Sequence, residues 1–134
     1  IRASKIKQIN EEGIEAFVDS FVPTCFSKTA KENQSEIYNE VLNRCKKNNP
    51  LGVKGALIAM ISRTDTSNYL GKINIPTLLI VGEKDSLTPP ETMRIISEKI
   101  PNSEFVIIPG AGHMTPIEAP YAFNEAIESF LRKN

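Results

Sequence analysis

The sequence predicts an α/β protein in two parts, a helical layer over residues 1–72 and a strand–helix–strand–helix unit over residues 73–134. Three observations carry that expectation. Apolar residues recur at spacings of three and four through the first part, the period of one helix face. Two short unbroken apolar runs, one closed by Gly82 and the other by Pro109-Gly110, follow in the second part. Between and after those runs the helical spacing returns, which is the order of a parallel βαβ unit with a closing helix.

The elements follow in order. Ile14, Phe17, Val18, Phe21 and Val22 fall on one helical face, and Pro23 is expected to stop that helix because it lacks the N–H that would continue it. Ser35 reads as the N-cap of a second helix with Ile37, Val41, Leu42 and Cys45 inward. Pro50 suits the first turn of a third, where its missing N–H costs nothing, and Val53, Ala56, Leu57, Met60 and Ile61 repeat the spacing. A short fourth turn runs from Thr66 to Leu70. Thr77–Val81 then reads as a strand buried on both faces, ended by Gly82. A helix from Pro89 or Pro90 to Lys99 precedes a second buried strand, Phe105–Ile108, closed by Pro109-Gly110. A last helix, about Pro120 to Arg132, turns Phe123, Ile127, Phe130 and Leu131 inward.

Composition removes several functions. Lys plus Arg and Asp plus Glu each number 16, so there is no basic excess of the kind nucleic-acid binders cluster on one face. The densest basic group, Arg44, Lys46 and Lys47, reads as the solvated C-terminal end of a helix. No run of 18 apolar residues offers a membrane-spanning helix, and Ile1 to Gln8 lack the apolar core of a signal peptide. Cys25 and Cys45 have apolar neighbours and no CxxC spacing, which reads as reduced, buried thiols in a cytoplasmic protein.

Two polar residues bear on chemistry. A βαβ crossover makes its strands parallel, so the loops leaving both carboxyl ends share one rim of the sheet, where open α/β sheets place their ligands. Asp85 lies three residues past Gly82, and His113, the single histidine, follows the second strand at a similar distance. Alone, each has a plainer reading, Asp85 as a turn or N-cap residue and His113 as a solvated turn histidine. Together on one rim they read as an acid that orients an imidazole and leaves its other nitrogen free as a base. A single histidine excludes a multi-histidine metal site within the chain, though not mixed ligation. Gly110-Ala111-Gly112 before His113 permits a tight bend; as a phosphate loop it lacks the third glycine and follows the wrong strand.

Ile75-Pro76-Thr77 leading into Gly82-Glu83-Lys84-Asp85 and Thr88-Pro89-Pro90 resembles the acid-bearing segment of α/β-hydrolases. Pro109-Gly110-Ala111-Gly112-His113 with Glu118, Pro120, Phe123 and Phe130-Leu131 resembles their histidine segment. The resemblance implies a C-terminal portion of that fold, with residues 1–72 as the helical cap of the lipase, esterase and enol-lactonase branch and Arg2-Ala3 as the tail of a preceding strand. It implies hydrolysis of esters, lactones or related acyl substrates by a Ser-His-Asp triad in which Asp85 and His113 are catalytic, with no metal or organic cofactor required.

The nucleophile elbow G-x-S-x-G does not occur in the chain. In the family's order Ser precedes Asp and His, so the chain reads as the second part of a longer protein, inactive alone and expected to pair with a missing N-terminal half or a second copy. Ser86 and Ser103 sit on no elbow. Phe26, Leu87 and Met114 are candidate substrate-lining residues, with core packing as the alternative for each. Glu118 precedes the last helix and reads as an N-terminal charge favoured by its dipole, and Arg63 and Asp65 as an ion pair or cap. The rivals on the same fold are a non-enzymatic binder with a dead elbow, or another chemistry: C–C bond hydrolysis, dehalogenation or cofactor-free peroxidation.

Overall fold

The computed structural model describes residues 2–134. Its elements run α1 (Arg2–Cys25), α2 (Lys28–Asn33), α3 (Ser35–Lys46), α4 (Pro50–Ile61), a 3₁₀ turn (Ser67–Lys72), β1 (Thr77–Gly82), α5 (Pro90–Glu98), β2 (Ser103–Ile108), α6 (Thr115–Glu118) and α7 (Pro120–Lys133). The helical first part and the βαβ order stand as the spacing predicts; of the apolar residues expected inward, Ile37, Ile61 and Leu131 are instead exposed.

Arg2 and Ala3 are helical, not the end of a strand. They open a helix that folds back on itself at Gly13, whose φ of 88° and ψ of 173° lie in a region essentially reserved for glycine. The fold-back is visible in side chains: the Ser20 hydroxyl lies 3.4 Å from Gln8 Oε1, twelve residues away, where a straight helix would separate them by about 18 Å. Lys5 Nζ likewise sits 3.8 Å above the Phe21 ring. Pro23 does not stop α1, which runs on to Cys25. So near the end of a helix, a proline removes only one bond from the ladder.

The apolar spacing gives no sign of α2, which starts where the Ser27 hydroxyl accepts the N–H of Ala30 at 3.1 Å. Ser35 is the first residue of α3 rather than its cap, which is Gln34, with no side-chain bond. Asn49 caps α4 by accepting the N–H of Leu51, with Pro50 in the first turn. Asp65 accepts the N–H of Ser67 ahead of the 3₁₀ turn, and no ion pair joins it to Arg63 among the described residues. The basic end of α3 is partly tied down, since Lys46 Nζ meets Asp19 at 2.7 Å.

The main core lies in the helical part. Ile9, Phe17, Val18 and Val22 of α1 pack with Phe26, with Ala30 of α2 and with Leu57 of α4. Burying an aliphatic or aromatic side chain of this size stabilises by about 1.5–3 kcal/mol. The sheet has two parallel strands in register from Thr77 opposite Ser103 to Gly82 opposite Ile108. Its strands are less covered than their unbroken apolar runs predict. Leu79, Val81 and Ile108 are buried, while Leu78, Ile80 and most of β2 are only half-buried, because among the described residues only α5 and α7 pack substantially on the strands. No helix of the described residues is long and apolar enough to cross a membrane.

Candidate active site

Because β1 and β2 are parallel and end level, with Gly82 opposite Ile108, the loops carrying Asp85 and His113 leave the same edge together. Backbone bonds then fasten one loop to the other. Glu83 N–H donates to the Ile108 carbonyl at 2.9 Å and Lys84 N–H to that of Ala111 at 2.8 Å. The Glu83 carboxylate returns across the gap to accept the Gly110 N–H at 2.8 Å, and that bond with the neighbouring Lys84 holds its pKa below the ordinary range. Gly110 takes a positive φ of 71° in this turn. Gly82 is required for another reason: a Cβ there would collide with the carbonyl groups of Ala111 and Gly112.

Asp85 sits in the joint so formed, with 4% of its side chain exposed. Oδ1 accepts the N–H groups of Leu87 at 2.8 Å and Thr88 at 2.9 Å. Oδ2 accepts the Thr88 hydroxyl at 2.7 Å and faces His113 Nδ1 at 2.8 Å. Burial pushes the carboxyl's pKa up, but the bonds from Thr88, His113 and Leu87 outweigh it and hold Asp85 below its ordinary value. An ionised acceptor requires that Nδ1 carry the proton, which leaves Nε2 as the ring's basic nitrogen. Nε2 has no protein partner among the described residues, and the His113 side chain is 40% exposed. The arrangement is thus a buried, saturated carboxylate orienting an accessible imidazole.

A protein-family model for the alpha/beta hydrolase fold matches residues 30–120. The chain belongs to the α/β-hydrolase fold family. Within it, the chain is similar to a pimeloyl-[acyl-carrier protein] methyl ester esterase of Legionella pneumophila (strain Lens), 28% identical over 133 residues that cover 95% of this chain and 56% of that protein. Among solved structures it resembles a thermophilic esterase from Thermogutta terrifontis, at a TM-score of 0.91 and 32% identity over 98% of this chain and 48% of that one. The enol-lactonase from Burkholderia xenovorans LB400 superposes at a TM-score of 0.90 but 21% identity, covering 98% of this chain and 50% of that one, a likeness of fold. The chain spans about half the length of each of these proteins. Its helical layer and single βαβα unit correspond to the C-terminal portion of the α/β-hydrolase fold.

The three further residues singled out in the sequence fall in different settings. Leu87 is exposed beside Asp85. Met114 is partly buried against the helical core, its N–H donating to the Cys25 carbonyl at 3.0 Å. Phe26 is 5% exposed and packs edge-on against Tyr38. Thr88 stands out as a partner that spacing does not reveal: it supplies two of Asp85's bonds and lies 3.3 Å from Nδ1. Glu118 departs from expectation. It precedes α7 as the sequence reads, but it closes α6 and its carboxylate is buried, accepting the N–H groups of Ser27 and Gly112. No group of three or more His, Cys, Asp or Glu among the described residues is placed to hold a metal.

Proposed function

We propose that this chain supplies the acid and base of a serine hydrolase acting on esters, lactones or related acyl substrates. The observation that carries the reading is the 2.8 Å contact between a buried Asp85 and an exposed His113 whose Nε2 has no partner among the described residues. Such a ring accepts the proton of an attacking serine hydroxyl at Nε2 while Asp85 stabilises the imidazolium; the same proton then passes to the leaving alkoxide. Water repeats the cycle on the acyl-enzyme. The serine and its oxyanion hole come from a companion segment that precedes this chain in the parent protein, in keeping with relatives about twice its span. The esterase names of two similar proteins support an acyl substrate.

In this reading residues 1–72 cover a small-molecule pocket and residues 73–134 are catalytic core. Cys25 and Cys45, both free thiols, fit a reducing cytoplasmic setting. The test joins the chain to the segment encoded upstream of it and follows a short activated ester. His113→Ala and Asp85→Asn should each lower kcat by orders of magnitude, about 10⁴ for an Asp→Asn change in a comparable triad, with circular dichroism unchanged. An Asp85→Asn enzyme within a few-fold of its parent overturns the assignment of the acid. An upstream elbow bearing Asp in place of Ser overturns acyl hydrolysis.

A further inference from the structure

We propose that Glu118 is a positioning residue for His113, the post through which the helical layer sets where the imidazole stands. The catalytic consequence rests on the reading above; the positioning itself does not.

His113 is held from both sides by the helical layer. On its C-terminal side, Met114 N–H donates to the Cys25 carbonyl at the end of α1. On its N-terminal side the link runs through Glu118. One oxygen, Oε2, accepts the Gly112 N–H at 3.0 Å and the Ser27 N–H at 2.9 Å, the second from a residue 91 positions away. The Glu118 carbonyl also accepts Gln34 Nε2 at 2.9 Å, between α2 and α3. Gly112 is pressed so closely into this joint that a Cβ would lie 2.6 Å from Ser27 N and 2.9 Å from the Phe26 carbonyl carbon. The Thr115 hydroxyl closes the turn by donating to the Gly112 carbonyl at 2.7 Å. The residue next to the imidazole therefore has little freedom while Glu118 bridges it to Ser27.

The chemistry of the bridge suits positioning. Both carboxylate oxygens are acceptors, so either face of the group can receive two converging N–H donors, and charge-assisted bonds are the stronger ones. Oε1 is buried with no hydrogen-bond partner among the described residues. In Glu118→Gln, the new side chain in the same rotamer would keep its oxygen on both N–H groups and place its amide where Oε1 now lies; burying those amide donors without an acceptor costs about 1–3 kcal/mol of stability but leaves the bridge itself in place. Glu118→Ala removes it, and in Glu118→Asp the side chain, one methylene shorter, falls short of the point where both donors converge.

The single histidine makes the consequence readable by ring ¹⁵N NMR of the histidine-labelled chain. The parent should show the Nδ1–H form, and Asp85→Asn should lose it. Glu118→Ala should lower the Nδ1–H population at least two-fold or broaden the ring signals by exchange, and Glu118→Gln should restore the parent spectrum. A folded Glu118→Ala chain with parental ring shifts overturns the proposal, as does a Glu118→Gln chain that behaves like the alanine variant. Should the alanine variant not unfold cooperatively, Glu118→Asp carries the same test, and a parental spectrum there overturns it equally. In the assembled enzyme, kcat should fall about 10²-fold for an imidazole displaced by about an ångström, with KM within a few-fold and Glu118→Gln recovering most of the loss. If the assembled parent hydrolyses no ester, the functional reading fails while the ring spectra still decide the role of Glu118.

Discussion

Substituting Gly82 by alanine tests whether the two loops are as closely joined as the structure shows. The three atoms nearest the added Cβ are all backbone of the facing loop, with the Ala111 carbonyl carbon at 2.7 Å and the oxygens of Ala111 and Gly112 nearer still. Carbon atoms rest about 3.5–4.0 Å apart, so the loops must part by about an ångström, and no flexible side chain is there to yield. The Lys84–Ala111 bond, now 2.8 Å, would then exceed hydrogen-bonding distance. Overpacking costs about 1–3 kcal/mol and the lost bond about 0.5–1.5 kcal/mol, for a total of about 1.5–4.5 kcal/mol. For a chain of this length that lowers Tm by roughly 5–20 °C. Thermal unfolding by circular dichroism measures it, with Gly52→Ala as the control. Gly52 lies in α4 with open space around its Cβ position, so alanine there should raise stability by about 0.5–1 kcal/mol. If Gly82→Ala melts within about two degrees of Gly52→Ala, the close approach of the loops is wrong, and with it the geometric basis of the Asp85–His113 pair.

Other expectations follow from the same contacts. Asp85 is held below its ordinary pKa, so its contribution to stability is fully present above the unfolded value and is lost as pH falls through the lower folded one. The urea-unfolding difference between the parent and Asp85→Asn should accordingly not shrink from neutrality to about pH 5, and should decline as pH falls through the ordinary aspartate value near 3.9 and below it; a difference that shrinks between pH 7 and 5 contradicts the shift. Gly13→Ala should cost at least about 1–3 kcal/mol, since φ 88° with ψ 173° admits no Cβ comfortably; an unchanged unfolding midpoint would refute the fold-back of α1. The 134-residue chain alone should cleave a short activated ester no faster than its His113→Ala variant, and a clear difference would show that no companion is needed. Two strands make a marginal sheet, and Ile75, Tyr121 and Leu131 are widely exposed. Sedimentation at micromolar concentration should therefore find the chain associated, and a cooperatively unfolding monomer would refute that.

How much is legible in the sequence depends on the range of the interaction. The strands, the crossover and α4, α5 and α7 are readable because apolar period and proline placement are local signals. Asp85 and His113 can be placed on one rim from topology alone, since a parallel crossover dictates where both loops emerge. The strands' partial exposure is not readable: an unbroken apolar run reports what a strand is suited to, while cover depends on which elements reach it. The reversal at Gly13 is hidden too, because the apolar face of the second half of α1 reads the same whether or not the first half folds back upon it.

Glu118 shows why a charged residue is the hardest kind to place from sequence. A carboxylate one or two positions before a helix has a sufficient local explanation in the helix dipole, and nothing in the spacing argues against it. What overrides that explanation is the pair of backbone donors from Ser27 and Gly112, which converge on one oxygen only after the chain has folded. The donor at Gly112 is available because glycine lets Phe26 and Ser27 approach, and the one at Ser27 because the turn between α1 and α2 points it inward. An anion with two backbone N–H groups to satisfy is worth burying even with its second oxygen idle, since the alternative leaves those donors without partners beside the imidazole. The same reasoning explains Thr88, whose N–H and hydroxyl both face Asp85. In each case the sequence names the anion, and the fold decides which donors it serves.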